Sequence, residues 1–136
     1  AGGAVPHRLG LSETVLVFKQ HLMFLGGLEG LLAQMKTVKH TFQEKKMTVE
    51  VDNVTDAWTL AAAGIDIIQL DKVPLDELKS FVPAFKDRYP TILLAAAGGI
   101  TRNNVQDYAA LGLDLLVTSA LYFGKPADIA AKITPC

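Results

Sequence analysis

Five short apolar runs in this chain each end beside residues that can do chemistry. The first leads into Phe18-Lys19-Gln20-His21, the second carries Glu50 and Asp52, and the third ends at Asp71-Lys72. The fourth runs into Gly98-Gly99 and the fifth into Thr118-Ser119. Glu50 suits a divalent cation, bound directly or through water, or the hydroxyls of a sugar, and Asp71 is a second candidate carboxylate at a strand end. A glycine pair lets the backbone approach an anion, and free N–H groups at a helix start point at it, so Gly98 and Gly99 are candidates for a phosphate, with Ser119 in the next loop. Each feature also has a plainer reading. Glu50 could pair with a neighbouring lysine, Asp71 could cap a loop, and Gly98-Gly99 could be an ordinary turn. His7-Arg8 suits a carboxylate or phosphate that a guanidinium grips bidentately, though such a pair often sits in a surface loop. His21 and His40 lack partners at metal-binding spacing.

These residues need a scaffold that brings them to one place. The apolar runs Thr14–Phe18, Met47–Val51, Asp66–Leu70, Thr91–Ala96 and Asp114–Thr118 read as strands. Helical spacing fills the segments between them. One helix runs from about Leu25 to Val38, with Gly26-Gly27 at its start. Asn53 caps another, with Asp56 in its first turn and Gly64 at its stop. A third begins at Pro74, with Leu75, Leu78, Val82 and Phe85 on one face, and Pro83 should kink or split it. Thr101 caps a fourth, which ends at Gly112. Ala62–Ile68 recurs as Ala110–Leu116, 48 positions on, which is two strand–helix units of ~24 residues each. Continuously apolar strands belong to a parallel sheet covered on both faces. The expected fold is α/β: an incomplete or open TIM-like barrel of about five strand–helix units, with a doubly wound sheet as the alternative. Asp66 and Asp114 precede their strands, at the opposite end from the site, and read as structural. Trp58, Phe81 and Phe85 read as core.

Bulk composition narrows the class of function. The chain has 136 residues, 50% hydrophobic and 20% charged, with a net charge of −1. That balance fits one globular domain and gives no reason to expect nucleic-acid or membrane-surface binding. A single cysteine, Cys136, excludes an internal disulfide and suits a cytoplasmic setting. No apolar run is long enough to span a bilayer. The chain opens without an initiator methionine, which raises the expectation that it is part of something longer.

The opening Gly2-Gly3-Ala4-Val5-Pro6-His7-Arg8-Leu9-Gly10-Leu11-Ser12-Glu13 resembles the Gly-Gly-x-x-x-His-Arg-Leu-Gly-Leu-Ser-Asp signature of the quinolinate phosphoribosyltransferases, also called nicotinate-nucleotide pyrophosphorylases. Val49-Glu50-Val51-Asp52, Leu70-Asp71 and Ala97-Gly98-Gly99-Ile100 follow in that family's order. The stretch Ser12–Phe18, with His21, is similar to the branch called ModD, which is linked with molybdenum transport. The resemblance implies that residues 1–136 are the C-terminal barrel domain of a pentosyltransferase. Such an enzyme moves phosphoribose from phosphoribosyl pyrophosphate to a small acidic heterocycle, with Mg²⁺, releasing pyrophosphate and, from quinolinate, carbon dioxide. It further implies that His7, Arg8 and Lys19 bind substrate and that Glu50 and Asp71 serve the ribose and the Mg²⁺–pyrophosphate end. Gly98, Gly99 and Ser119 would hold the 5′-phosphate. Family members carry an N-terminal domain, absent here, that closes the partner subunit's site. A homodimer or higher homo-oligomer is therefore expected of the full-length protein, and this stretch alone would lack part of the acceptor half.

Three departures bear on the acceptor. Phe18 stands where quinolinate enzymes place a lysine, with Lys19 one position later and, on a strand, on the other face. Ala95 and Ala97 stand where a glutamate and a serine are usual. Phosphoribosyl transfer is thus expected more firmly than quinolinate itself. The competing expectation is a non-catalytic barrel that binds a phosphosugar or oxyanion in a regulatory role. An aldolase or isomerase using a Schiff-base lysine is a third and weaker one, with only Lys19 and Lys72 at strand ends.

Overall fold

A computed structural model describes residues 3–134. Cys136 and the first glycine of the opening signature, Gly2, lie outside the described residues. Five strands form one sheet: β1 (Val15–Val17), β2 (Met47–Val51), β3 (Ile67–Asp71), β4 (Leu93–Ala97) and β5 (Leu115–Leu116). Every neighbouring pair is parallel, and the spatial order β1-β2-β3-β4-β5 follows the chain. A doubly wound sheet reverses its strand order at a switch point. This one never reverses, so the open-barrel expectation holds and the doubly wound alternative falls.

The helices are α1 (Lys19–Leu25), α2 (Gly27–Thr41), α3 (Val54–Ala62), α4 (Leu75–Arg88) and α5 (Val105–Ala109). Their apolar faces cover one side of the sheet, meeting Val49, Val51, Ile68, Leu70 and Leu94 in a single core. Trp58 packs on Phe81 and Phe85 there, with ring centroids 5.3 and 5.2 Å away.

Several boundaries differ from the sequence expectation. A helix was expected from Leu25, but helical structure already starts at Lys19. Gly26 then turns left-handed, φ 84°, and splits α1 from α2. Pro83 does not divide α4, which is continuous from Leu75 to Arg88. Pro83 and Lys79, whose carbonyl loses its helical partner, are both exposed, so water can satisfy that group. The ~3 kcal/mol cost of an interior proline is offset by burial of Leu78, Phe81, Val82 and Phe85, each worth about 1.5–3 kcal/mol. Thr101 does not begin a helix either. Helix α5 starts at Val105 and is only five residues long.

The recurring segment has a recurring function in the fold. Gly64 and Gly112 both end their helices in the left-handed region, at φ 75° and 81°. Asp66 then accepts the Met47 N–H (2.8 Å), and Asp114 accepts the Leu94 N–H (2.7 Å). Each carboxylate thus fixes the entry of the preceding strand. Asp114 is also paired with Lys86, whose ammonium donates to the Ile92 carbonyl as well (2.9 Å). Both aspartates are structural, as their positions implied.

Candidate active site

Alternation along the strands sorts the side chains by face. Val49, Val51, Ile68 and Leu70 turn to the helices, which leaves Glu50, Gln69, Asp71, Ala95 and Ala97 on the other side. The register places Glu50 beside Gln69, Gln69 beside Ala95, and Asp71 beside Ala97. Two strands therefore deliver carboxylates to neighbouring rows near their carboxyl ends, the end at which barrel enzymes build their sites.

The partner of Glu50 is Gln69, whose Nε2 donates to its carboxylate at 2.6 Å. Among the described residues, the lysine pairing considered from sequence does not form. Gln69 is 5% exposed, and it is the site residue that sequence reasoning missed. Nothing in the linear pattern marks it; only the register shows that it stands opposite Glu50. Burial raises the Glu50 pKa above its ordinary value; the Gln69 hydrogen bond pulls it back, Asp71 adds to the rise, and Lys72 opposes it.

These groups open onto a cleft of about 650 Å³, lined by Lys19, Glu50, Asp52, Asp56, Asp71 and Lys72 with apolar residues of α1 and α2 at its side. Lys19 is the first residue of α1, not part of a strand, so strand alternation does not turn it away. Its ammonium lies 3.6 Å from Asp52. The Asn53 side-chain amide holds the Asp52 carboxyl below its ordinary pKa, with Lys19 adding to the effect. Phe18, at the position of the usual lysine, stacks on His21 (centroids 5.6 Å apart), and its backbone N–H donates to His21 Nδ1 at 2.9 Å. Phe18 and His21 therefore start α1 and set Lys19 at the lip of the cleft. A smaller depression of about 240 Å³ lies at the opposite ends of the strands, around Lys39, Lys46 and Asp66.

The remaining candidates divide. Gly98 and Gly99 both have positive φ, 84° and 75°. A Cβ at Gly98 would collide with Lys72 Cγ and Asp71 Oδ1, whereas one at Gly99 would meet open space. Gly98 thus lets the loop after β4 close over the end of β3. No helix start adjoins this pair, which removes the helix-terminus part of the phosphate argument. Asn104 braces the loop instead, donating to the Gly99 carbonyl (3.0 Å) and accepting the Thr101 N–H (2.7 Å). The loop after β5 is tied to it by Thr118, whose hydroxyl donates to the Ile100 carbonyl at 2.6 Å. Ser119, next to Thr118, is exposed.

His7 and Arg8 do not reach the cleft. Arg8 donates to the Thr14 carbonyl (3.3 Å), at the amino end of β1, and its Nε is buried without a hydrogen-bond partner among the described residues. Lys45 anchors the same opening segment through the Ser12 carbonyl.

Comparison with known proteins agrees with the fold. The profile of the quinolinate phosphoribosyl transferase C-terminal domain matches residues 1–132. A ModD protein of Pasteurella multocida is 40% identical over 133 residues, covering 98% of this chain and 47% of the relative. The carboxylating nicotinate-nucleotide pyrophosphorylase of Mycobacterium leprae is 33% identical over 120 residues, 88% of this chain and 41% of the relative. The chain thus spans about half the length of the curated relatives it matches. Among solved structures, NadC of Streptococcus pyogenes superposes with a TM-score of 0.74 at 26% identity, covering 88% of this chain and 40% of that one. The nicotinate-nucleotide pyrophosphorylase of Francisella tularensis gives 0.72 at 27% identity, over 85% and 39%. With its parallel open barrel and its acidic strand ends, the chain belongs to the quinolinate phosphoribosyl transferase C-terminal domain family.

Proposed function

We propose that this chain carries the donor half of a phosphoribosyltransferase site, which binds phosphoribosyl pyrophosphate with Mg²⁺ and passes the phosphoribosyl group to a carboxylated heterocycle. The observation that carries this reading is the cleft at the ends of β2 and β3, where Glu50 and Asp71 stand on one face of a barrel of this family. Four carboxylates and two lysines line it, so a bare polyanion would be repelled and a cation-bearing one accepted. Glu50 and Asp71 would hold the Mg²⁺. Among the described residues no three His, Cys, Asp or Glu side chains converge. That suits Mg²⁺, which keeps several waters and binds through one or two carboxylates plus substrate phosphates. When bound, the ion would offset charge on the departing pyrophosphate.

The residues of the chain have distinct parts in this scheme. The acceptor's ring nitrogen attacks the ribose anomeric carbon, the bond from that carbon to the pyrophosphate oxygen breaks, and the electron pair leaves with pyrophosphate. Glu50, oriented by Gln69, accepts from the ribose hydroxyls and faces the positive charge that develops on the sugar. Lys19 sits where the leaving or accepting anion enters. The Gly98-Gly99 and Ser119 loops, joined through Thr118, are assigned to the 5′-phosphate. His7 and Arg8 are assigned to the acceptor's carboxylates, although they lie outside the cleft here. Phe18 in place of a lysine favours an acceptor less acidic than quinolinate, and the ModD relative fits a molybdate-transport setting. The reading also implies a cytoplasmic protein that works as a homodimer or higher homo-oligomer.

The alternative is a non-catalytic phosphosugar- or oxyanion-binding barrel. It draws on Ala95 and Ala97, which leave the rows beside Gln69 and Asp71 without a polar group. Pyrophosphate release, measured with phosphoribosyl pyrophosphate, Mg²⁺ and a panel of pyridine and other heterocyclic acids, separates the two. Turnover with any acceptor supports transfer; donor binding without release across the panel supports the alternative.

A further inference from the structure

We propose that Lys72 is the cation that grips the pyrophosphate of the donor, an assignment that rests on the donor reading above. Lys72 has φ 57°, and among the described residues it is the one non-glycine position with positive φ. The seven other such positions are all glycine. A lysine side chain disfavours the left-handed region, and residues held there against preference gather at functional sites. The chain thus uses glycine at its other turns of this kind and departs from that practice once, at the lip of the cleft.

The surroundings hold the conformation in place. The Lys72 N–H donates to the Ala97 carbonyl at 2.9 Å. Gly98 lacks the Cβ that would strike the Lys72 stem and the Asp71 carboxylate. The stem is therefore packed against the loop after β4, while the ammonium end remains available, its side chain 77% exposed. It stands 4.0 Å from Asp71, long for a hydrogen bond. An oxygen of a metal-bearing pyrophosphate could lie between the lysine and the carboxylate-held ion. Lys19, on α1, lines the same cleft and is already engaged with Asp52.

Calorimetric titration of Mg²⁺–pyrophosphate, ribose 5-phosphate and phosphoribosyl pyrophosphate into the wild-type chain, Lys72→Met, Lys72→Arg and Lys72→Gly tests this. Lys72→Met keeps the backbone demand and removes the charge. It should weaken pyrophosphate and donor binding about 10-fold, leave ribose 5-phosphate within about twofold, and unfold at the wild-type temperature. Lys72→Arg should retain most of the affinity. Lys72→Gly should bind as weakly as Lys72→Met yet melt about 2–4 °C higher, because the strain is gone. Equal pyrophosphate binding by wild type and Lys72→Met would overturn the assignment alone. Loss of pyrophosphate binding in Lys72→Met, with no wild-type affinity for phosphoribosyl pyrophosphate, would keep Lys72 and overturn the donor reading. A wild type that binds neither pyrophosphate nor the donor would overturn both.

Discussion

At Glu50, burial works against the charge of the carboxylate. Its carboxylate is half-buried, and desolvation raises its pKa above the ordinary 4.5. Between 4.5 and the raised folded value the folded chain holds more protons than the unfolded one, so stability falls as pH rises through that window and the penalty persists above it. Glu50→Gln, which can still accept from Gln69, should therefore be more stable than wild type at pH 7 without divalent cations, and no more stable below about pH 4.5. Denaturant midpoints across pH check this; a pH-independent difference would mean that burial does not penalise the charge. Gln69→Leu leaves that carboxylate without its donor and should cost about 1–3 kcal/mol, read from the same midpoints. The sequence marked Glu50 as needing a partner, because a carboxylate in an apolar strand is seldom left alone. It could not name Gln69, because adjacency across a sheet depends on register, which no local pattern carries.

At the scale of elements, the glycine pair offers a contrast. Gly98→Ala must fit a methyl group where Asp71 and Lys72 already sit, whereas Gly99→Ala bears only the backbone penalty. The first should cost more than about 2 kcal/mol and the second about 1 kcal/mol; equal losses would deny the close approach at Gly98. Asp114 supports two strands at once. Burial would raise its pKa, but the Lys86 ammonium and the Leu94 N–H together hold it below the ordinary 3.8. It thus stabilises the fold above pH 3.8, and that support is lost as pH falls through its lower folded value. Asp114→Ala should cost about 1–3 kcal/mol at neutral pH and progressively less in acid, as thermal melts at several pH values would show. The elements themselves were largely legible. Met47–Val51 has the expected bounds, since a continuous apolar run between turn signals has few other readings. Helix α1 was not, because it starts on a phenylalanine N–H bonded to a histidine ring rather than on a standard cap. Thr101 looks like a cap in sequence, but Asn104 turning back to Gly99 and Thr101 delays α5 to Val105.

For the molecule as a whole, the order of elements was readable because each strand–helix unit repeats the same physical solution, down to Asp66 and Asp114 in equivalent places. Convergence of the strand ends followed from that order. The placement of the opening segment did not: its His7-Arg8 pair looks like an anion site, yet Arg8 and Lys45 fix it near the amino ends of the strands. The cleft at the ends of β2 and β3 thus lacks the two residues that the proposed function assigns to the acceptor. The proposed function requires this cleft to bind a phosphosugar pyrophosphate through a divalent cation held by Glu50 and Asp71. Calorimetric titration of phosphoribosyl pyrophosphate into the chain, with and without Mg²⁺ and repeated in Asp71→Ala, addresses it directly. The expected result is binding that Mg²⁺ strengthens and Asp71→Ala weakens at least about 10-fold, with the variant still folded. Binding unaffected by Mg²⁺ or by loss of Asp71, or no binding at all, would contradict it.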